Sequence, residues 1–188
     1  MDTETLEGIL EAGRESQTID FKESCSWNAK SMVKDFLAMV NVQYGGKIII
    51  GVRETEKGYI RQGVTEKHKK TFKIDVMLDQ VAPYADPHII FSVSFPKDNN
   101  GIKYVVIEID SFQSIPVICK KDSYETKRGG IYYRNRNRRP ESALVSNAHD
   151  MRDIIEVAVI RMRDRFEELD LKSDKDTKKR LKDELGEL

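Results

Sequence analysis

Residues 47–52 read KIIIGV, a run in which β-branched side chains follow one another without helical spacing. Such a run is stable as a strand buried within a sheet. Just before it, Ala29, Met32, Val33, Phe36, Leu37 and Val40 recur at three- and four-residue steps, and Gly45 and Gly46 follow. That spacing predicts a helix over about 28–44 with one core-facing side, closed by the two glycines. A helix leading through Gly-Gly into a buried strand commits the chain to helices packed on a sheet. With 188 residues and 39% hydrophobic content, one core and an appended helix are affordable, but two full domains are not.

The remaining segments extend the same pattern. Leu6, Ile9 and Leu10 give a short helix over about 3–12, ended by Gly13. In residues 18–22, Thr18, Asp20 and Lys22 share one parity and Ile19 and Phe21 the other, which predicts a strand projecting Asp20 and Lys22 together. A short strand lies between Gly58 and Gly63. Thr65 then caps a helix carrying Phe72, Met77, Leu78 and Val81 as far as Pro83. Segments 89–95 and 102–109 form a hairpin across the turn-rich 96–101, and 115–119 and 130–134 add shorter strands. Ser146 or Asn147 opens a long helix with Met151, Ile155, Ala158, Met162, Phe166 and Leu169 along one side, to pack at home or against a partner. Past Asp170 only Leu181, Leu185 and Leu188 interrupt a charged tail, expected to be flexible.

The expected organisation is therefore a domain over 1–145, a C-terminal helix over 146–170 and a charged tail over 171–188. Acids and bases number 32 each, so only local asymmetry can argue for a charged partner. Residues 1–24 hold seven acids against Arg14 and Lys22, whereas 120–139 hold eight bases against Asp122 and Glu125. Cys25 and Cys119 have no metal-ligand spacing and form no disulfide framework, which fits a reducing cytoplasmic setting. No apolar run is long enough to cross a bilayer, and the acidic start is unlike a secretion signal.

Two constellations are candidates for function. Glu15, Asp20 and Glu54 could converge at one sheet edge, where carboxylates would hold Mg2+ or Mn2+ for phosphate chemistry with Lys22 stabilising developing charge. The competing reading is an acid-rich surface strand without a function. The second constellation is Lys127, Arg128, Tyr132, Arg134, Arg136, Arg138 and Arg139, where cations and aromatics interleave as suits a phosphate backbone and a stacked base. Its alternative is an arginine-rich rim paired with the acidic N-terminal region, within the protein or across a dimer. Gly45-Gly46-Lys47 is no phosphate loop, since Lys47 enters a strand. His68, His88 and His149 show no ligand pattern.

These segments resemble the Schlafen-type AlbA-like domain family, nucleic-acid-binding modules of bacterial, phage and animal proteins. ESQTIDFK over 15–22 resembles its E-S-x-x-x-E-F-K opening, and FLAMVN over 36–41 with Gly45-Gly46 is similar to its A-F-A-N-x-x-G-G segment. IIIGV over 48–52 resembles its I-x-x-G-V strand. The segment from Tyr104 to Asp110 with IPV over 115–117, and GIYYR over 130–134, resemble its later strands. The resemblance covers about 6–145 and implies an α/β (α+β) fold: a single mixed-sheet domain with packed helices, here with a C-terminal helical extension.

For function, the resemblance implies nucleic-acid binding and, in some members, a three-carboxylate endoribonuclease site directed at transfer RNA. Glu15 and Asp20 fall on the two opening acids, Asp20 being one methylene shorter than the usual Glu. Glu54 is matched to the third, with Arg53 standing where acids are common. The two-module animal nucleases imply a homodimer for a lone copy, with the C-terminal helix as its means. The expectation is thus a nucleic-acid-binding protein, RNA preferred, with metal-dependent endoribonuclease activity on structured RNA. The alternatives are a non-catalytic DNA-binding regulatory or interaction module and an assembly adaptor built on the C-terminal helix.

Overall fold

The computed structural model describes residues 1–136 and 140–168. Its centre is a mixed sheet of β1 (Ile19–Lys22), β2 (Gly46–Ile50), β7 (Val105–Ile109) and β6 (Phe91–Ser94), in the order β1-β2-β7-β6. β1 runs parallel to β2, and the other neighbours are antiparallel. The register sets Asp20 beside Ile48 and Lys22 beside Ile50. Side chains alternate along a strand, so Asp20, Lys22, Ile48 and Ile50 share one face, and Phe21 and Ile49 the other.

Both faces are covered, as the apolar run Ile48–Ile50 requires, but the strand expected over 47–52 ends at Ile50, where Gly51 turns the chain at φ 115° and Val52 opens the next strand. On the first face lies α2 (Ala29–Met39), whose Met32, Val33, Phe36, Leu37 and Met39 join Ile48, Ile50, Val105, Ile107 and Ile109 in the larger core. On the second lies α1 (Thr3–Ala12), where Leu6 and Leu10 meet Phe21, Ile49, Tyr104 and Val106. The Asp2 side chain caps α1 by accepting from the Thr5 amide, and Gly13 ends it in the left-handed region. An Arg61–Glu7 ion pair ties α1 to a small hairpin of β3 (Val52–Thr55) and β4 (Gly58–Arg61).

Two helices differ from expectation. α2 ends at Met39, five residues before Tyr44, because Asn41 donates its amide to the Leu37 carbonyl at 3.0 Å, competing with continued helix bonding. The helix expected over 65–83 divides into α3 (Glu66–Lys69) and α4 (Ile74–Val81), followed by a 3-10 turn at Ala82–Tyr84. Thr65 does cap α3. The break falls where the Thr71 hydroxyl donates to His68 O at 2.6 Å and accepts the Trp27 amide at 2.8 Å, while Lys73 is extended.

Three further short strands frame the site. β5 (Ala85–Asp86) pairs with β8 (Ile118–Cys119), and β9 (Tyr132–Arg134) pairs with β10 (Ser142–Leu144). The helix α5 (Ala148–Glu168) is capped by Asn147, whose Oδ1 accepts the Asp150 amide at 2.9 Å. Buried Ile154 and an Arg161–Gln43 carbonyl bond of 2.6 Å hold α5 against the domain. Leu169 and the charged tail lie outside the described residues, as do Arg138 and Arg139. Cys25 and Cys119 are free thiols. Among the described residues, no helix is long and apolar enough to cross a membrane.

Candidate nucleic-acid interface and its ionic core

Asp20 and Lys22 project together as their parity predicts, but onto the face that α2 covers. Lys22 Nζ lies 3.0 Å from Asp20 Oδ2 and 2.8 Å from Asp35 Oδ2 of α2. Arg134 arrives from β9 and places Nη2 3.0 Å from Asp20 Oδ1 and 3.4 Å from Glu15 Oε2. Glu15, Arg134, Asp20, Lys22 and Asp35 thus form one chain of alternating charge, three carboxylates against two cations. Asp20 and Asp35 are each 6% exposed and Arg134 2%. Charges this far from water persist only when paired and hydrogen-bonded.

The hydrogen bonds are supplied largely by backbone. Arg134 donates from Nε to Ser16 O at 3.0 Å and from Nη2 to Ile19 O at 3.3 Å. Glu15 Oε1 accepts the Phe21 amide at 2.8 Å. Burial pushes the Glu15 carboxyl above its ordinary value against that amide bond; the Asp20 charge adds to the rise and Arg134 opposes it. Burial works against the Lys22 charge, but Asp35 and Asp20 outweigh it and raise the ammonium's pKa. Asp20 Oδ2 is buried without an aligned hydrogen bond, although Lys22 Nζ is its ionic neighbour.

Glu15 and Asp20 therefore come together, and Glu54 is not brought to them. It stands exposed on β3, paired in register with Tyr59. Among the described residues, no group of three or more His, Cys, Asp or Glu side chains is arranged to hold a metal ion. The donors at Glu15 and Asp20 are hard oxygens of the type Mg2+ or Mn2+ takes. In this arrangement Arg134, Lys22 and the Phe21 amide are their neighbours, so an ion would enter only by displacing one of them.

The basic segment divides by depth. Tyr132 and Arg134 are buried, whereas Lys127, Arg128 and Arg136 are exposed. The internal pairing weighed for this segment describes Arg134, which is the counter-ion of the N-terminal acids. Arg136 donates to Gln17 Oε1 at 3.2 Å and approaches Asp153 of α5 at 3.9 Å. Gln17 donates in turn to the Tyr133 hydroxyl at 2.8 Å and to Arg134 O at 2.9 Å, while Tyr133 donates to Asp153 Oδ2 at 3.1 Å. A polar cleft of about 430 Å³ opens beside this network, lined by Asn135, Arg136, Asn147, His149, Asp150 and Asp153.

Sequence reasoning missed Asp35, Gln17, Tyr133 and Asp153 as members of these networks. Asp35 had one available signal, an acid inside the apolar periodicity of α2. Asn41, present in the FLAMVN motif, proves to be a buried strut. Its Nδ2 lies 3.0 Å from the Leu37, Val117 and Tyr132 carbonyls, and its Oδ1 accepts the Val117 amide at 2.8 Å. It thereby fixes β9, and with it Arg134, against the end of α2.

No curated protein matches the sequence. Among solved structures, the fold is similar to the N-terminal domain of a putative ATP-dependent DNA helicase RecG-related protein from Nitrosomonas europaea. The TM-score is 0.51 at 19% identity, covering 79% of this chain and 97% of that one. It is also similar to the DIP2311 protein from Corynebacterium diphtheriae, with a TM-score of 0.50 at 18% identity over 79% of this chain. The match spans 27% of the Corynebacterium chain. The family model described as Schlafen, AlbA_2 matches residues 15–141, from the first acid of the ionic core to the loop beyond Arg134. The chain belongs to the Schlafen AlbA_2 family.

Proposed function

We propose that this chain is a nucleic-acid-binding module that engages phosphate backbones through the exposed cations of residues 120–136, with structured RNA such as transfer RNA preferred to DNA. The observation that carries this reading is the sorting of charge by depth. Arg134 is consumed by Glu15 and Asp20, and Glu125 is consumed by Lys34 at 2.9 Å. Lys120, Lys121, Lys127 and Arg128 remain at the surface. Cations left in water beside neutralised acids are available to displace counterions from a polyanion.

Titrating the protein with transfer RNA and with duplex DNA at several salt concentrations tests this. Replacing Lys127 and Arg128 by Glu is expected to weaken binding about tenfold or more and to lower the salt slope by about one per lost contact. Unchanged affinity would remove the strip from the proposal. Equal binding of DNA would favour the DNA-binding regulatory module.

A second reading, metal-dependent RNA cleavage at Glu15 and Asp20 beside Lys22, is favoured by one observation: the buried Asp20 Oδ2 without an aligned hydrogen bond. It requires Arg134 or Lys22 to release the acids and Glu54 to approach from its hairpin. Transfer RNA incubated with Mn2+ and wild-type protein should then be cut, and Asp20→Asn protein, shown folded by its melting curve, should bind without cutting. RNA left intact by the wild type under these conditions sinks the catalytic reading.

The proposal includes a homodimer through α5. Ile155, Val159, Met162 and Phe166 are all exposed, and their steps of four, three and four residues are those of a coiled-coil seam. A second copy laid antiparallel sets Ile155 by Phe166 and Val159 by Met162. It also faces Glu156 with Arg163 of the second copy twice over, a complementarity that a parallel pairing lacks. Sedimentation equilibrium should show a dimer lost in Val159→Glu, weakened in Glu156→Arg and restored in Glu156→Arg/Arg163→Glu. A wild-type monomer at every concentration, or no restoration in the double variant, overturns this arrangement.

A further inference from the structure

The loop between β8 and β9 carries Tyr124 at its tip, and that side chain is fully exposed. An aromatic ring in this position forgoes the burial that normally repays it. The exposure does not come from a slack loop. The Ser123 amide donates to Thr126 O at 2.8 Å, and the Ser123 and Thr126 hydroxyls are 2.8 Å apart. The Thr126 hydroxyl donates to Lys121 O at 3.1 Å, so the Ser123 hydroxyl is the donor between the two.

The flanks are fastened as firmly. The amides of Glu125 and Thr126 both donate to Ser123 Oγ at 3.2 Å. The Lys127 amide donates to the Tyr132 hydroxyl at 2.8 Å, and the Arg128 amide to Asp122 Oδ1 at 3.0 Å. Thr126 is itself buried. The tip is a braced post with one aromatic ring standing in water.

The charge around the post has one sign to spare. Lys120, Lys121, Lys127 and Arg128 are exposed within four residues of Tyr124. Of the loop's two acids, Glu125 pairs with Lys34 at 2.9 Å, and Asp122 accepts the Arg128 amide. An aromatic face flanked by cations matches a nucleotide whose base is free to stack and whose neighbouring phosphates need neutralising. An acidic peptide would use the cations and leave the ring without a partner.

We infer that the 120–128 loop is a stacking site for an unpaired nucleobase, with Tyr124 against the base and Lys127 and Arg128 beside the adjacent phosphates. This rests on the nucleic-acid reading and narrows it to single-stranded or looped-out segments. Duplex nucleic acid, whose bases are already stacked, meets only the cations.

Fluorescence anisotropy with the full chain tests the site on three probes: a single-stranded RNA, a DNA of the same sequence and an RNA duplex. Tyr124→Ala should weaken binding of the single strands about 5- to 100-fold and leave the duplex unchanged, with no shift in melting temperature. Tyr124→Phe should stay within about twofold of wild type, since the ring carries the contact. Tyr124→Trp should bind as wild type and show indole quenching by the single strands beyond that of Trp27 alone. Equal losses for single strands and duplex, or no loss in Tyr124→Ala when the wild type binds, overturns the stacking site and leaves the cationic strip standing. Failure of the wild type to bind any of the probes overturns both.

Discussion

The guanidinium of Arg134 sits 3.0 Å from Asp20 Oδ1, which makes an arginine of the closing strand the buried counter-ion of an acid of the opening strand. The two residues are more than a hundred positions apart in sequence. Their pairing joins β9 to the edge of the central sheet.

Removing one member strands the others. Arg134→Met leaves Glu15 and Asp20 buried beside one cation fewer, and the expected loss is about 3–5 kcal/mol of unfolding free energy in urea. Adding Asp20→Asn to that variant should recover part of the loss, because the uncompensated charge goes with it. A single variant within about 1 kcal/mol of wild type would show that the pair is not buried in solution as described.

Glu15 gives the core a pH signature. Its folded-state pKa is raised above the ordinary 4.5, with burial the first cause, so the native state holds the proton more tightly than the unfolded chain. Its contribution is fully present below 4.5 and is lost as pH rises through the folded value. Wild type should therefore gain stability relative to Glu15→Gln as pH falls from neutrality towards 4.5. Urea midpoints of the two proteins, measured in parallel, check this; a difference that moves the other way refutes it.

Asn41 should tolerate no substitution. Asn41→Ala leaves the Val117 amide and three carbonyls short of a partner, at a cost of about 3 kcal/mol or more given the penalty per unsatisfied group. Asn41→Asp sets a carboxylate oxygen against those carbonyls and should cost at least as much. Chemical denaturation reads both, and an Asp variant as stable as wild type contradicts the strut.

Tyr133 acts at the alkaline end. Burial, then the Asp153 charge and hydrogen bond, push its hydroxyl from 10.0 up to about 12. Its contribution is whole below 10 and fades as pH rises through about 12. Tyr133→Phe should cost about 1 kcal/mol at neutral pH for the lost hydrogen bonds and remove that part of the alkaline decline. Matching alkaline slopes for the two proteins would rule it out.

The fold was legible where local pattern and burial agree. Residues 47–50 of KIIIGV, the periodicity of α2 as far as Met39 and the hairpin of β6 and β7 are continuous signals, and these appear in place, whereas Val52 belongs to β3 beyond Gly51. The division between α3 and α4 was hidden because the break depends on Thr71 serving the Trp27 amide, 44 residues away. At the site, parity put Asp20 and Lys22 side by side, and composition placed cations in the closing segment. Neither could sort those cations by depth. Arg134 and Arg136 look alike in sequence and share a strand parity, yet β9 ends at Arg134, which is buried against Asp20, while Arg136 lies beyond the strand and is exposed.

The sheet order leaves β1 at an edge, and an edge strand offers its free backbone groups to any passing strand. Here that row is occupied by the residues of the ESQTIDFK motif and by Arg134. Ser16 exchanges backbone bonds with Ile19, the Glu15 carboxylate takes the Phe21 amide, and Arg134 takes the Ile19 carbonyl. The opening acid and the closing arginine therefore act together as a plug against strand addition. A variant lacking either should expose a templating edge, with self-association through β1 as its characteristic failure.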